Sequence, residues 1–193
     1  MWRKRGYFYG LSCVYNKIAD INIEIYRSGG AANWQEVEEV LNESIDLGEK
    51  GEDITLSLCL QSMANTFQGN FQEARQYLEA AKQVEFDYLS FRNKINISRA
   101  TAHLAVAEGR WEKASDIFED LIETFSQKGY RWEHAHTLCD WGDALVSRGE
   151  PPDLEAAREL YNQALELYDD LEASWYKEQV EKRLNSASNF ILR

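Results

Sequence analysis

The sequence has almost none of the residues that interrupt helices. Only two prolines occur in 193 residues, side by side at Pro151 and Pro152. Because proline lacks a backbone N–H and clashes with the preceding helical turn, its scarcity leaves the rest of the chain free to form helices. The length suffices for one sizeable core or for one stacked array with a continuous core. These features favour an all-α protein.

Basic residues are also in short supply. Lys and Arg number 21 against 33 Asp and Glu, which gives a formal net charge of −12. A protein that binds a phosphate backbone needs an excess of Lys and Arg on some face, so nucleic acid is not expected as a partner. The acidic composition fits solubility, or a partner with a basic surface.

Long apolar runs are missing as well. No run approaches the roughly 18 apolar residues of a membrane span, so no membrane partner is expected. The basic start "MWRKRG" is not followed by the apolar segment of a signal peptide, because Asn16, Lys17 and Asp20 interrupt it. We therefore interpret the N-terminus as the start of a helix.

Cysteine is infrequent and its spacing is uninformative for metal binding. Cys13, Cys59 and Cys139 lie far apart, and no CxxC pair occurs. That spacing supports neither a zinc knuckle nor a redox motif. It favours reduced, mostly buried thiols in a cytoplasmic protein.

What the sequence does contain is a phrase that recurs. "GNFQEARQYLEAA" (69–81) aligns with "GRWEKASDIFEDL" (109–121), placing an aromatic, a small residue and two further apolar residues in register. "LEAARELYNQA" (154–164) keeps the same internal spacing, and "NWQEVEEVLNES" (33–44) is a weaker copy. Such self-similarity at a fixed period is the signature of a repeat protein.

Glycines precede these phrases at equal intervals, at Gly29, Gly69, Gly109 and Gly149. Gly30 is an alternative to Gly29 at the first position. Apolar residues recur at helical spacing on both sides of each glycine, and glycine suits a helix end that needs a left-handed residue. The pattern predicts a helix–turn–helix hairpin repeated four times.

The predicted helices span residues 8–28, 34–48, 52–68, 71–84, 87–108, 111–127, 130–148, 153–170 and 172–187. The repeats are 8–48, 52–84, 87–127 and 130–170, followed by the terminal helix 172–187. This last helix has no hairpin partner. We expect it to cover the apolar face that the last hairpin would otherwise expose, as a repeat array requires.

The hairpins resemble tetratricopeptide repeats. The residues that carry the resemblance best are Leu138, Trp141, Gly142, Leu145, Gly149, Leu154, Ala157, Tyr161 and Ala164. Repeats two and three match on the second helix, but Gln61–Ser62 and Thr101–Ala102 replace the Leu-Gly pair on the first. The interval from one glycine to the next exceeds the usual period of the family. It resembles the long period in the arrays of maltose-activator-type transcription regulators and cyclase-linked signalling ATPases.

The resemblance implies one right-handed superhelical array over residues 1–193, with four hairpins and a C-terminal capping helix. It also implies a protein–protein interaction scaffold whose concave groove holds a peptide or helix of a partner, in a signalling or transcription-regulatory system. No enzyme is expected, since the sequence has no nucleophile elbow, P-loop, HExxH or dinucleotide motif. No cofactor is expected either.

The resemblance places the groove on one face of each first helix, in three layers. The groove residues are Leu56, Cys59, Met63 and Phe67 in one layer, Asn96, Arg99, His103 and Val106 in the next, and His136, Cys139, Asp140 and Asp143 in the last. The layers run from apolar to acidic, which suits a partner peptide with an apolar segment and a basic end. The alternatives are ordinary solvated side chains, or a groove filled by one of the protein's own helices.

Three further hypotheses remain open. A small-ligand sensor would use Cys59, Met63, Arg99 and His103 as its pocket. A metal site at His134 and His136 is disfavoured, because residues two apart on a helix point about 200° away from each other. The N-terminal aromatic residues Trp2, Tyr7, Phe8 and Tyr9 predict an exposed first-hairpin face that pairs with a second copy, or stacks on a preceding repeat in a longer protein.

Overall fold

The computed structural model describes residues 2–47, 52–84 and 91–191, and over these ranges it holds nine α-helices and no strand. The helices are α1 (Trp2–Arg27), α2 (Trp34–Leu47), α3 (Glu52–Phe67), α4 (Phe71–Gln83), α5 (Phe91–Ala107), α6 (Trp111–Lys128), α7 (Arg131–Arg148), α8 (Pro151–Asp170) and α9 (Ser174–Ile191). None of them, over the described residues, is both long and apolar enough to cross a bilayer. The all-α prediction is confirmed.

Most predicted helix bounds agree with the structure within two residues. Helix α1 begins at Trp2 rather than residue 8, and α9 ends at Ile191 rather than residue 187. Helix α8 takes both prolines into its first turn, where the N–H groups have no helical acceptor in any case. Helix α5 begins at Phe91, and its predicted start at residue 87 lies outside the described residues.

The chain forms two compact units, Met1–Arg110 and Trp111–Arg193. The first holds α1 to α5 and the second holds α6 to α9. We call α1, α3, α5, α7 and α9 the first helices, and α2, α4, α6 and α8 the second helices. The single right-handed array over residues 1–193 stays a prediction.

One packing rule holds within each unit. In the first unit α1–α2 and α3–α4 form hairpins, α2 packs on α3, α4 packs on α5, and the first helices α1, α3 and α5 contact one another in sequence. In the second unit α6 packs on α7, α7 and α8 form a hairpin, and α9 packs on both. Within the units, α3, α5 and α9 therefore each contact the preceding second helix and the preceding first helix, as repeat stacking requires.

The four equally spaced glycines all adopt left-handed backbone, with φ of 84° at Gly29, 82° at Gly69, 72° at Gly109 and 74° at Gly149. This confirms the helix-end prediction and selects Gly29 over Gly30. At Gly69 the N–H bonds Thr66 O at 3.1 Å, and the next N–H, of Asn70, bonds Asn65 O at 2.9 Å. This pair of bonds satisfies the last carbonyls of α3.

Glu172, in the turn between α8 and α9, has φ of 54°, and no other described non-glycine residue has a positive φ. Because a side chain is unfavourable in left-handed backbone, we expect Glu172→Gly to raise the free energy of unfolding by about 0.5–1 kcal/mol. Urea denaturation followed by circular dichroism measures this. The control Glu166→Gly, inside α8, should lower it by about 1 kcal/mol. A loss at both positions would contradict the prediction.

The core of the first unit contains a group of four hydrogen-bonded polar side chains at the junction of α1, α2 and α3. There Ser12 Oγ lies 2.7 Å from Ser44 Oγ, which lies 2.9 Å from Ser57 Oγ. Ser57 donates to Asn16 Oδ1 at 2.8 Å. In the Ser12–Ser44 and Ser44–Ser57 pairs either hydroxyl can be the donor. All four side chains are buried, and we call them the hydroxyl chain.

The core of the second unit is centred on aromatic residues. Phe118 of α6 is fully buried and stacks on Trp141 of α7 with ring centroids 5.2 Å apart. A Cβ added at Gly142 would lie 2.6 Å from Cε1 of Tyr161 on α8, so glycine lets this ring approach the backbone of α7. In α3 the matching Ser62 donates to Ala74 O at 2.8 Å instead. In the first unit Leu78 stands at the repeat position of Tyr161, and it leaves room for the Ser62 hydroxyl.

Candidate functional site

The structure places half of the predicted groove residues in the interior. Cys59, Met63, His103, His136 and Asp140 are buried, as is Cys139. The partly exposed members are Leu56, Phe67, Asn96, Arg99, Val106 and Asp143. The buried members cannot contact a partner in this structure. The role of the groove as a binding surface stays a prediction.

The physical reason for this burial is that successive first helices contact each other directly at these positions. In the first unit the Phe67 ring of α3 lies 5.3 Å from the His103 ring of α5. In the second unit the His136 ring of α7 lies 5.0 Å from the Tyr176 ring of α9. Phe67, His103 and His136 thus take part in packing between neighbouring first helices.

In the first unit the polar groove residues form a line on α5. Arg92, Asn96, Arg99 and His103 follow one another at intervals of four, three and four residues, which places them on one helix face. Exposure falls along the line, from Arg92, which is exposed, to His103, which is buried. On the adjacent helix α3, burial raises the pKa of the Cys59 thiol to about 12, and Arg99 lowers it by a smaller amount.

These pKa effects predict the thiol reactivity of the folded chain. Cys13 is exposed, whereas Cys59 and Cys139 are buried. Alkylation requires the thiolate, and Cys59 with a pKa of about 12 stays protonated at pH 8. We expect iodoacetamide to modify Cys13 alone in the native chain and all three cysteines in urea, as read by intact mass. Rapid native modification of Cys59 would contradict the buried position.

In the second unit the acidic layer is engaged by the protein's own helix α9. Asp143 accepts a hydrogen bond from Tyr161 Oη at 2.7 Å and lies 3.6 Å from Nε of Arg183 on α9. Burial and the Asp143 carboxylate raise the pKa of Tyr161. Asp140, one turn earlier on α7, is fully buried. These carboxylates, which predicted a basic segment in the partner, take part in packing within the unit.

In the same layer, one ring nitrogen of His136 lies near two oxygen atoms. Its Nδ1 lies 3.0 Å from Trp132 O and 2.8 Å from Tyr168 Oη. Burial lowers the pKa of the neighbouring His134. The imidazole of His136 therefore contacts the Tyr168 hydroxyl and takes part in the interior of the unit.

The surface feature that the sequence analysis missed is a line of three aromatic rings, Trp132, Tyr176 and Trp175, which we call the aromatic row. The ring centroids are 4.8 Å apart from Trp132 to Tyr176 and 4.8 Å apart from Tyr176 to Trp175. Trp132 is 36% exposed and Trp175 is 38% exposed. The row crosses from the first turn of α7 to the first turn of α9, and aromatic residues in both first turns were the available signal.

The aromatic row rests on a buried base. The Tyr168 ring stacks on Tyr176 at 5.5 Å, and the His136 ring lies 4.8 Å from Trp132. Tyr168 and His136 are both buried, and their side chains are hydrogen-bonded to each other. The exposed indoles are thus held in fixed positions by packing from below.

Comparison with protein-family models, curated proteins and solved structures finds no match for this chain. The resemblance to tetratricopeptide repeats therefore stays a prediction that rests on the residues quoted above. The arguments about function therefore depend on the exposed surface of each unit.

Proposed function

We propose that this chain is a protein–protein interaction scaffold that binds a partner through the aromatic row. The observation that carries the proposal is the pair of Trp side chains, each more than a third exposed, joined through Tyr176 into one surface. Trp and Tyr are the residues that most often dominate binding energy at protein interfaces.

The base beneath the row supports this assignment. Association costs free energy for every side chain that must be immobilised at the interface. Contacts with Tyr168 and His136 already restrict Trp132 and Tyr176 in the unbound chain. A partner that covers the row therefore gains apolar burial at a reduced entropic cost.

The acidic composition of the chain favours a partner with a basic rim. Near the row itself the charges are balanced, because Asp169 pairs with Lys177, whose sequence neighbour is Tyr176, and Asp170 pairs with Arg131, whose neighbour is Trp132. The net charge of −12 is therefore what favours an apolar anchor flanked by Lys or Arg.

A role in a signalling or transcription-regulatory system follows from the resemblance to the long-period arrays and belongs to this proposal. The alternative of a small-ligand sensor receives less support. Of its four assigned pocket residues, Cys59, Met63 and His103 are buried in packing contacts.

The test is capture of partners on the immobilised full chain. Proteins retained from a lysate of the source cells are quantified by mass spectrometry for the wild type and for a Trp132→Ala, Trp175→Ala variant. Because interface Trp residues typically contribute about 2 kcal/mol or more, we expect specific retention to fall by about tenfold or more in the variant.

The matched control is Phe91→Ala, which removes an aromatic ring that is 39% exposed in the other unit. It should leave retention unchanged. Equal retention by all three proteins, or equal loss in the control, would rule out the aromatic row as the binding surface.

A further inference from the structure

A stripe of α1 faces solvent with apolar side chains. Val14, Lys17 and Ile21 are spaced by three and four residues and share one helix face. Val14 is 53% exposed and Ile21 is 36% exposed. Lys17 forms an ion pair with Asp20 at 2.8 Å while its side chain stays 48% exposed. We call these three residues the α1 stripe.

The equivalent positions on a later first helix show what this helix face contacts there. One repeat period after Lys17 and Ile21 stand Ser57 and Gln61 of α3. Ser57 Oγ lies 2.9 Å from Ser44 Oγ, and Gln61 Nε2 donates to Asn42 Oδ1 at 3.2 Å. Both partners belong to α2. On α3, the positions equivalent to the α1 stripe therefore contact the second helix of the preceding hairpin.

The second unit repeats the relation. Trp141 of α7 occupies the repeat position of Ile21, three periods later in the chain. It stacks on Phe118 of the preceding second helix α6. The repeat position of Ile21 thus contacts a preceding second helix in both units. The contact is a hydrogen bond in the first unit and aromatic stacking in the second. On α1 this position carries an exposed isoleucine.

The charges indicate the chemistry of a helix that would cover the stripe. Of the basic residues in the sequence of α1, Lys17 lies on the stripe and is 48% exposed, whereas the Arg27 side chain is 3% exposed and pairs with Glu24. The second helix α2 contains five acidic and no basic residues, and α6 contains five acidic and two basic residues. Lys17 therefore complements acidic second helices such as α2 and α6, whereas α4 contains two acidic and two basic residues.

We propose that the α1 stripe is a docking site for an acidic amphipathic helix of a partner protein, seated as α2 is seated on α3. Its apolar face covers Val14 and Ile21, and a carboxylate on its flank lies near Lys17. This surface is in the first unit and is separate from the aromatic row. It does not depend on the function proposed for that row.

The probe is an 18-residue fluorescein-labelled peptide with the sequence of α6, Trp111–Lys128, titrated with the full chain and followed by fluorescence anisotropy. This peptide is acidic, and its buried face in the protein is Ala114, Phe118, Leu121 and Phe125. We expect saturable binding that weakens about fivefold with Lys17→Glu and about twentyfold or more with Ile21→Glu.

Two controls locate the binding. Arg158→Glu makes the same charge change as Lys17→Glu at an exposed position of α8 and should leave the affinity unchanged. Cys13 is exposed beside Val14, so bound peptide should slow its alkylation by iodoacetamide about fivefold or more. Circular dichroism confirms that the variants fold, and the Cys13 measurement uses the wild type alone.

Each contrary outcome overturns the proposal. Absence of binding at millimolar peptide excludes an acidic helix as the occupant. Equal binding by the wild type and Ile21→Glu, with unprotected Cys13, places the peptide elsewhere. Concentration-dependent dimers that Ile21→Glu dissociates, without peptide binding, would show that a second copy of this chain is the occupant. The side chains of Trp2, Tyr7, Phe8 and Tyr9, which first predicted that dimer, lie outside the described residues.

Discussion

A chain in which Phe118 is replaced by alanine is expected to lose about 4 kcal/mol of free energy of unfolding. The Phe118 side chain is fully buried, and its ring stacks on Trp141. Removing the ring forfeits its transfer free energy and leaves a cavity that the helices on either side can close only in part. Urea denaturation followed by circular dichroism measures the loss.

The same substitution at an exposed position provides the control. Phe91→Ala removes a ring that is 39% exposed and should cost less than about 1 kcal/mol. Phe118→Leu keeps part of the volume and should cost less than Phe118→Ala. If Phe118→Ala cost no more than Phe91→Ala, the second unit would not depend on the packing of α6 against α7.

The second large effect is expected at the ion pair between α7 and α9. Arg183 has a side chain only 4% exposed, and its Nε lies 3.6 Å from an oxygen of Asp143. Replacing it by methionine keeps most of the volume and removes the cation. The Asp143 carboxylate then keeps its charge without the nearby guanidinium, so we expect a loss of about 3 kcal/mol in the free energy of unfolding.

A double substitution tests whether the charge is the cause. Asp143→Leu combined with Arg183→Met removes both charges of the pair, so the double variant should be more stable than Arg183→Met alone by about 1 kcal/mol or more. The hydroxyl of Tyr161 loses its acceptor in the double variant, which limits the recovery. A double variant less stable than either single one would show that Arg183 acts by packing instead.

The fold could be predicted because its determinants are local. Gly69, Gly109 and Gly149 mark helix ends through a backbone conformation that only glycine adopts without strain. The small residues Ala74 and Ala114, which follow two of these glycines by five, are fully buried. Spacing along the chain suffices to recognise both signals. The end of α8 at Asp170 agrees with the predicted end although no glycine marks it, since Glu172 takes the left-handed position there.

The site was harder to predict because exposure is a property of neighbours. His103 and His136 lie on the helix face that a repeat array exposes in its groove, yet both are buried. What covers part of that face is the next first helix, as the contact of His136 with Tyr176 shows. A sequence gives the direction of a side chain on its own helix but not the distance to the next helix.

The aromatic row was missed for the converse reason. Aromatic residues in a repeat are normally assigned to the core, as Trp141 and Tyr161 are here. Trp132 and Trp175 stand in the first turns of their helices, where one flank of the side chain has no preceding helical turn to pack on. Their position near a helix start, rather than their residue type, sets them apart from the core aromatics.

The hydroxyl chain of the first unit also bears on how a repetitive sequence selects the correct neighbour during folding. A hairpin that docked one repeat too far along would set Ser44 against Ile97, which stands one period after Ser57, instead of against Ser57. Each buried hydroxyl left without a partner costs about 1–3 kcal/mol, so the misassembled state is penalised although its apolar contacts are similar. The hydrogen bonds among Ser12, Asn16, Ser44 and Ser57 thus distinguish the correct interface between hairpins from other interfaces with similar apolar contacts.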